Sequence, residues 1–232
     1  LYKSWEAGLV PQIFYSVLKP KLEEDFISDT KYIIHLMWKF GNHITIKIRK
    51  LSWRQKLLER GYIQIYTGDG KGKTTASLGL AMRALGHGWK VLIIQFTKGD
   101  SATSYGEIVS GNMFPNLEIV QCGMDRVVYS HNVCLDDFKE AKKGWELAKK
   151  AIASNEYQLI ILDEINIAIA MNMIKVSDVK DALLNKPETL EIVLTGRYAH
   201  PELKALAHLV TEMKPIKHYF DIGVMARQGI EY

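Results

Sequence analysis

An α/β domain with a largely parallel sheet is the fold class this sequence predicts, on three observations. From Gly61 onward, short β-branched runs alternate with stretches of helical period. The first of these runs passes through a glycine-rich loop straight into a helix-like segment. An acidic pair, Asp163-Glu164, closes another apolar run at the strand end where open parallel sheets hold their ligands.

The first sixty residues stand apart from this pattern. They carry eleven Lys/Arg against six Asp/Glu, whereas residues 61–232 carry nineteen against twenty. The net charge of +4 therefore belongs to the N-terminal segment, and the rest has no basic stripe to follow a nucleic-acid backbone. Apolar patches in that segment (QIFYSVL, YIIHLMW, ITIKI) are broken by Pro, Asp and Gly without a sustained period. YIIHLMW is too short to span a bilayer. Residues 1–57 are thus expected to be an atypical extension, non-native or poorly ordered, ahead of a domain over 58–232. SWRQKLLERG reads as a short helix leading into the first strand.

Five strands are expected next: YIQIY, KVLIIQF, LEIVQC, QLIILDE and LEIVLTG. Helical period marks TTASLGLAMRALG, DDFKEAKKGWELAKKAIA and VSDVKDALL. A 47% hydrophobic content supplies enough apolar surface for a real core around them. Cys122 and Cys134 lack the short paired spacing of a zinc site, and they read as reduced thiols of a cytoplasmic protein. The seven histidines show no metal-ligand spacing.

Between the first strand and helix lies TGDGKGKTT, residues 67–75. Glycines at 68, 70 and 72 let a backbone turn tightly and direct N–H groups at phosphate oxygens. Lys73 would reach the outer phosphates, Lys71 adds a second positive charge, and the Thr74 hydroxyl would reach Mg²⁺. The following helix offers its positive N-terminal end to the same anion. The general pattern G-x-x-x-x-G-K-[ST] asks for glycine at 67, where this chain has Thr67. Asp163 and Glu164 can hold Mg²⁺ directly or through water, or in a hydrolytic ATPase orient the attacking water. No serine nucleophile elbow and no acid/base triad can be assembled.

Residues from about Leu58 to Tyr232 resemble the phosphate-loop ATP:corrinoid adenosyltransferases, also called cob(I)yrinic acid a,c-diamide adenosyltransferases. The resemblance is carried by GYIQIYTGDGKGKTTASLGLAMRALGHG, QFTKG, LIILDEIN, LTGRYAHPEL and the tail VTEMKPIKHYFDIGVMARQGIEY. Thr67 in place of the first glycine is this family's own form. The resemblance implies a phosphate-loop NTPase-like, RecA-like three-layer fold. It also implies transfer of the 5′-deoxyadenosyl group of ATP to cobalt(I) of a corrinoid, with triphosphate as leaving group and Mg²⁺ or Mn²⁺ as cofactor.

On that footing Gly68, Asp69, Gly70, Lys71, Gly72, Lys73, Thr74, Thr75 and Arg197 are expected to bind ATP. Lys73, Thr74 and Glu164 would be catalytic, and Thr74, Asp163 and Glu164 would serve the metal. The segment MDRVVYSHN would place Val127 and Tyr129 against the corrin. A homodimer and an electron donor such as a flavoprotein reductase are implied as partners, with neither nucleic acid nor membrane. Two alternatives stay open at this point: a phosphate-loop ATPase or kinase, and a non-catalytic nucleotide- or corrinoid-binding module.

Overall fold

The computed structural model describes residues 31–39 and 43–51 by their backbone, and residues 58–99, 105–124, 126, 128–129 and 131–232 in full. The chain divides into two compact units, residues 1–54 and 55–232. In the first, β1 (Lys31–Lys39) and β2 (His43–Leu51) form an antiparallel pair, in register from Lys31 opposite Leu51 to Lys39 opposite His43. The sequence reading found no period there, although YIIHLMW and ITIKI lie on these two strands. Of the helix expected over SWRQKLLERG, residues 52–57 lie outside the described residues, and residues 58–61 are not helical.

The second unit is built on a six-stranded, all-parallel sheet. Its strands are β3 (Ile63–Thr67), β4 (Val91–Phe96), β5 (Leu117–Cys122), β6 (Leu159–Asp163), β7 (Glu191–Thr195) and β8 (Leu209–Glu212), in the order β5-β4-β6-β7-β3-β8. β4, β6 and β7 are buried at every position, so both faces of the sheet are covered and the runs are apolar throughout rather than alternating. The α/β class and the five strands read from sequence are present. β8 and three six-residue helices are additions, too short to show a period.

Connecting helices lie on both faces. Against one face pack α1 (Lys73–Gly86) and the side chains of Val91, Ile93, Leu159, Ile161 and Val193. Against the other pack α3 (Leu135–Ser154), α4 (Ile165–Ala170), α5 (Val176–Leu184) and α6 (Pro201–Leu206), over Ile65, Leu92, Ile94, Phe96, Ile160, Leu162, Ile192 and Leu194. These are the three layers of the expected fold. α2 (Gly106–Gly111) precedes β5. In mid-α3, Gly144 explains itself by close approach, since a Cβ there would lie 2.8 Å from the Cys122 Cβ and 3.0 Å from the Phe96 ring. Among the described residues, no helix is long and apolar enough to cross a membrane.

The α1 face changes character at the carboxyl ends of the strands. Gln121 pairs with Gln95 and Gln95 with Asp163, while Thr195 pairs with Tyr66. Asp163 and Thr195 follow the partners Leu162 and Leu194. Alternation puts all five side chains on the same face, as a polar row beyond the aliphatic ones. Immediately after this row four strands turn sharply through a positive φ: Gly68 (97°), Thr97 (60°), Glu164 (61°) and Gly196 (116°). Thr97 and Glu164 adopt it without glycine's freedom, a strain that occurs preferentially at functional sites.

Candidate active site

The loop between β3 and α1 is shaped by its glycines. Gly68 and Gly72 have φ of 97° and 126°, conformations open to glycine alone at little cost. Gly68 and Gly70 are needed for a second reason. The chain leaving β8 passes close behind the loop, and a Cβ would lie 2.5 Å from the Met213 carbonyl oxygen at Gly68 and 2.8 Å from it at Gly70. Met213 fastens the loop there: its N–H donates to the Thr67 carbonyl (2.8 Å), and its carbonyl accepts from Gly70 N–H (2.7 Å). The Gly70 N–H is thus engaged within the protein. Thr67 is buried, and its hydroxyl oxygen accepts from the Ala199 N–H at 3.3 Å.

α1 starts without an acidic residue in its first turn, whereas α3 has Asp136 and Asp137 there. The positive end of α1 is left uncompensated beside the loop, as an anion site requires. Lys73, in this first turn, is buried and donates to the carbonyls of Gly68 (2.8 Å) and Gly70 (2.9 Å). Burial depresses its ammonium below the ordinary lysine value; Glu164 opposes this and Arg197 adds to it. Thr75 is exposed on the same turn.

Asp163 is fully buried and saturated with donors. Its Oδ1 accepts from the hydroxyls of Thr74 (2.9 Å) and Thr195 (2.6 Å). Its Oδ2 accepts from Lys98 Nζ (2.8 Å) and, more weakly, Gln95 Nε2 (3.5 Å). Thr195 also accepts from the Glu164 N–H at 2.9 Å, which fixes the turn after β6. Burial alone would depress the Lys98 ammonium, but Asp163, by charge and hydrogen bond, holds it above the ordinary value, with help from Glu107 and Glu164.

Glu164 differs from its neighbour. No described residue donates a hydrogen bond to its carboxylate, and burial, then the charge of Asp163, raises its pKa. Glu164 and the Thr74 hydroxyl are hard oxygen donors, suited to Mg²⁺, which is usually held by one or two carboxylates together with substrate phosphates. The residues fit that ion as part of a nucleotide complex rather than as a cage. Among the described residues, no group of three or more His, Cys, Asp or Glu side chains is arranged to hold a metal on its own. Both Asp163 oxygens are engaged within the protein, and one of them holds the Thr74 hydroxyl.

Of the residues expected from sequence, the loop, Thr74, Asp163, Glu164 and Arg197 come together. Arg197 Nη2 donates to the Asp69 carbonyl (3.3 Å), with Nε 3.8 Å from the Asp69 carboxylate. Lys71 is turned elsewhere: its Nζ donates to the Ile230 carbonyl (3.0 Å) and pairs with Glu231 (3.2 Å). Glu231 is in turn bound by Arg227, which lies over the Tyr219 ring. Val127 lies outside the described residues. Tyr129 is exposed and stacks on His131 at 5.5 Å. Sequence reasoning missed Lys98, Thr195, Gln95 and Met213. Gln95 and Thr195 did carry a signal, a polar residue near the carboxyl end of an apolar strand, as Asp163 does.

A glycine-rich loop leaving β3 for α1, with a buried aspartate at the end of β6 and β7 between the two strands, defines a phosphate-loop nucleotide-binding α/β protein. Residues 59–232 match the family model described as ATP:corrinoid adenosyltransferase BtuR/CobO/CobP, and the chain belongs to that family of transferases. It is 34% identical over 174 residues to the corrinoid adenosyltransferase of Escherichia coli, covering 75% of this chain and 87% of the relative. The corrinoid adenosyltransferase of Sinorhizobium sp is 36% identical over 198 residues, covering 83% and 92%. The uncharacterized protein all2391 of Nostoc is 39% identical over 180 residues, 73% of this chain, and the match spans 48% of that relative's length. The flagellar accessory protein FlaH from Methanocaldococcus jannaschii aligns with a TM-score of 0.43 and 18% identity over 67% of this chain and 72% of that one, too distant a likeness to carry an argument.

Proposed function

We propose that residues 58–232 transfer the 5′-deoxyadenosyl group of ATP to cobalt(I) of a corrinoid, cob(I)yrinic acid a,c-diamide or cob(I)alamin, releasing triphosphate. The observation that carries this reading is the junction of loop and strand end, where the Thr74 hydroxyl meets Asp163 in a chain of this family. The cobalt electron pair forms the bond to C5′ as the C5′–O5′ bond breaks, and its electrons leave on the triphosphate. Cobalt(I) needs no base to become a nucleophile, so the protein's tasks are alignment and stabilisation of the departing charge.

Lys73 is the principal charge for that second task. Its contacts to the Gly68 and Gly70 carbonyls hold the ammonium inside the loop until phosphate oxygens replace them. The loop N–H groups not used by Met213 and the bare end of α1 add fixed dipoles. Thr74 and Glu164 would hold Mg²⁺, which when bound neutralises charge on the phosphate oxygens. Arg197, tied to Asp69, steadies the loop and lies within electrostatic reach of Lys73. The corrinoid is assigned to the side of Val127 and Tyr129, following the family resemblance. In a cell, an electron donor such as a flavoprotein reductase would supply cobalt(I), and a homodimer in the cytoplasm is the expected form.

The test supplies chemically reduced corrinoid, ATP and Mg²⁺ and follows the light-sensitive cobalt–carbon product together with the phosphate products. One triphosphate per adenosyl group is expected, with negligible ADP. Lys73→Ala removes a charge-assisted contact of about 1.5–3 kcal/mol, roughly ten- to over a hundredfold in rate. ADP formed at a comparable rate without corrinoid would overturn the assignment in favour of an ATPase.

A further inference from the structure

Lys98 is not among the groups assigned a role above, yet the chain is built to place it. Its Nζ lies 2.8 Å from Asp163 Oδ2 and 3.8 Å from Glu107 Oε1, and the charge of Glu164 also acts on it. One ammonium therefore stands between two carboxylates, with the charge of a third acting on it. The backbone that delivers it is fixed by two devices. Thr97, directly before it, takes a φ of 60°, an uncommon conformation for a β-branched residue. Gly123, at the exit of β5, packs so tightly that a Cβ would lie 2.4 Å from Lys98 N and 2.5 Å from the Thr97 carbonyl carbon. The Tyr105 ring, 5.5 Å from Nζ, flanks the ammonium.

A second observation points to something that enters here. Gln95 has no exposed surface, and its Nε2 is spent on Glu107 (3.0 Å) and Asp163 (3.5 Å), but its buried Oε1 has no hydrogen-bond partner. An orphaned acceptor beside a saturated Asp163 is costly unless a donor, such as a water carried by an incoming ion, satisfies it.

We propose that Lys98 is the resident counter-ion of this site: it occupies Asp163 and balances Glu107, so that the protein alone takes up no divalent cation and the metal enters only with the triphosphate. Lys98 is a positioning residue in this scheme. It holds Asp163, and Asp163 holds the Thr74 hydroxyl. An ammonium fixed beside the site offsets the carboxylates that would otherwise draw in a bare divalent ion, and the charge of a triphosphate supplies the attraction that is then missing. Loading metal and nucleotide together would spare the protein a non-productive, metal-filled state.

The test is equilibrium dialysis of the full chain against Mn²⁺, with and without ATP. Wild type is expected to take up Mn²⁺ only when ATP is present. Lys98→Met, which vacates the Nζ position, should bind Mn²⁺ without nucleotide at least about tenfold more tightly than wild type. Lys98→Arg, which keeps the charge, should restore dependence on ATP. A purely structural ion pair would change stability while leaving Mn²⁺ uptake alike in all three proteins, and that result overturns the proposal. Should Lys98→Met fail to fold, wild type decides: Mn²⁺ uptake without ATP at the affinity seen with ATP refutes it. The inference rests on the metal–triphosphate placement proposed above but not on the corrinoid. Failed adenosyl transfer with the expected Mn²⁺ behaviour would sink that reading alone, and the reverse outcome this one alone.

Discussion

Gly70→Ala separates two reasons for a glycine in a phosphate loop. If Gly70 serves only the approach of a ligand, the nucleotide-free protein should tolerate a methyl group. The structure gives a different answer, because the new Cβ would lie 2.8 Å from the Met213 carbonyl oxygen, 3.0 Å from its carbonyl carbon and 3.1 Å from the Lys214 carbonyl carbon. All three are backbone atoms and cannot rotate aside. Overpacking of this kind costs about 1–3 kcal/mol. Strain on the 2.7 Å bond from Gly70 N–H to Met213 adds about 0.5–1.5 kcal/mol. The sum, about 1.5–4.5 kcal/mol, lowers the melting temperature by about 3–18 °C in a domain of this size and leaves it folded. Gly79, in α1, is the control: a Cβ there meets nothing within 4 Å, so Gly79→Ala should stabilise by about 0.5–1 kcal/mol. Calorimetry without nucleotide measures both. A Gly70→Ala protein that melts within about one degree of wild type yet no longer binds nucleotide would refute the packing argument.

Two further outcomes are expected. Glu231→Gln should free Lys71 from the tail and tighten ATP binding by up to about fivefold, the scale of an exposed ion pair; unchanged or weaker binding by titration calorimetry would show that tail and nucleotide do not compete for Lys71. Arg227 holds the Glu231 carboxylate down at about 2, so this contact stands at every pH above the ordinary glutamate value and is lost only as pH falls toward 2. Glu164 behaves oppositely. Its raised pKa means that the free folded protein holds a proton longer than the unfolded chain, so ionised Glu164 costs stability as pH rises through the folded value. Metal requires the ionised form, so Mg²⁺–ATP binding should release protons below that value, seen in calorimetry across buffers of different ionisation enthalpy. No proton release, or the same release from Glu164→Gln, would remove Glu164 from the metal site.

The legible parts of this protein were those in which cause and effect lie close along the chain. Continuous apolar runs such as LIIL announce strands covered on both faces, and their glycine or acidic ends mark where the chain turns. Gly68, Lys73, Thr74 and Asp163 followed from that local grammar. The reason for Gly70 did not, because the atom it avoids belongs to Met213, which β8 brings behind the loop. Lys71 sat in the motif as one more phosphate ligand until folding brought Glu231 beside it. Lys98 was hidden in QFTKG as an ordinary lysine, since neither Thr97's backbone nor Gly123's approach can be read from one strand. The antiparallel pairing of β1 and β2 escaped because it is a property of two segments together.

The contacts around Asp163 also close on themselves. Thr74, at the far end of the loop, donates to Asp163; Thr195 shares the same oxygen; and two residues beyond Thr195, Arg197 reaches back to Asp69 near the loop's beginning. The path is a hoop, and both ends of the loop are on it. Its links are individually modest, hydrogen bonds of 2.6–3.3 Å and a stretched ion pair of 3.8 Å. Stiffness therefore belongs to the circuit and not to any one bond. The disorder a bare loop would surrender on meeting its ligand has already been surrendered during folding, so the site is preorganised, and binding energy is released for aligning the reactants.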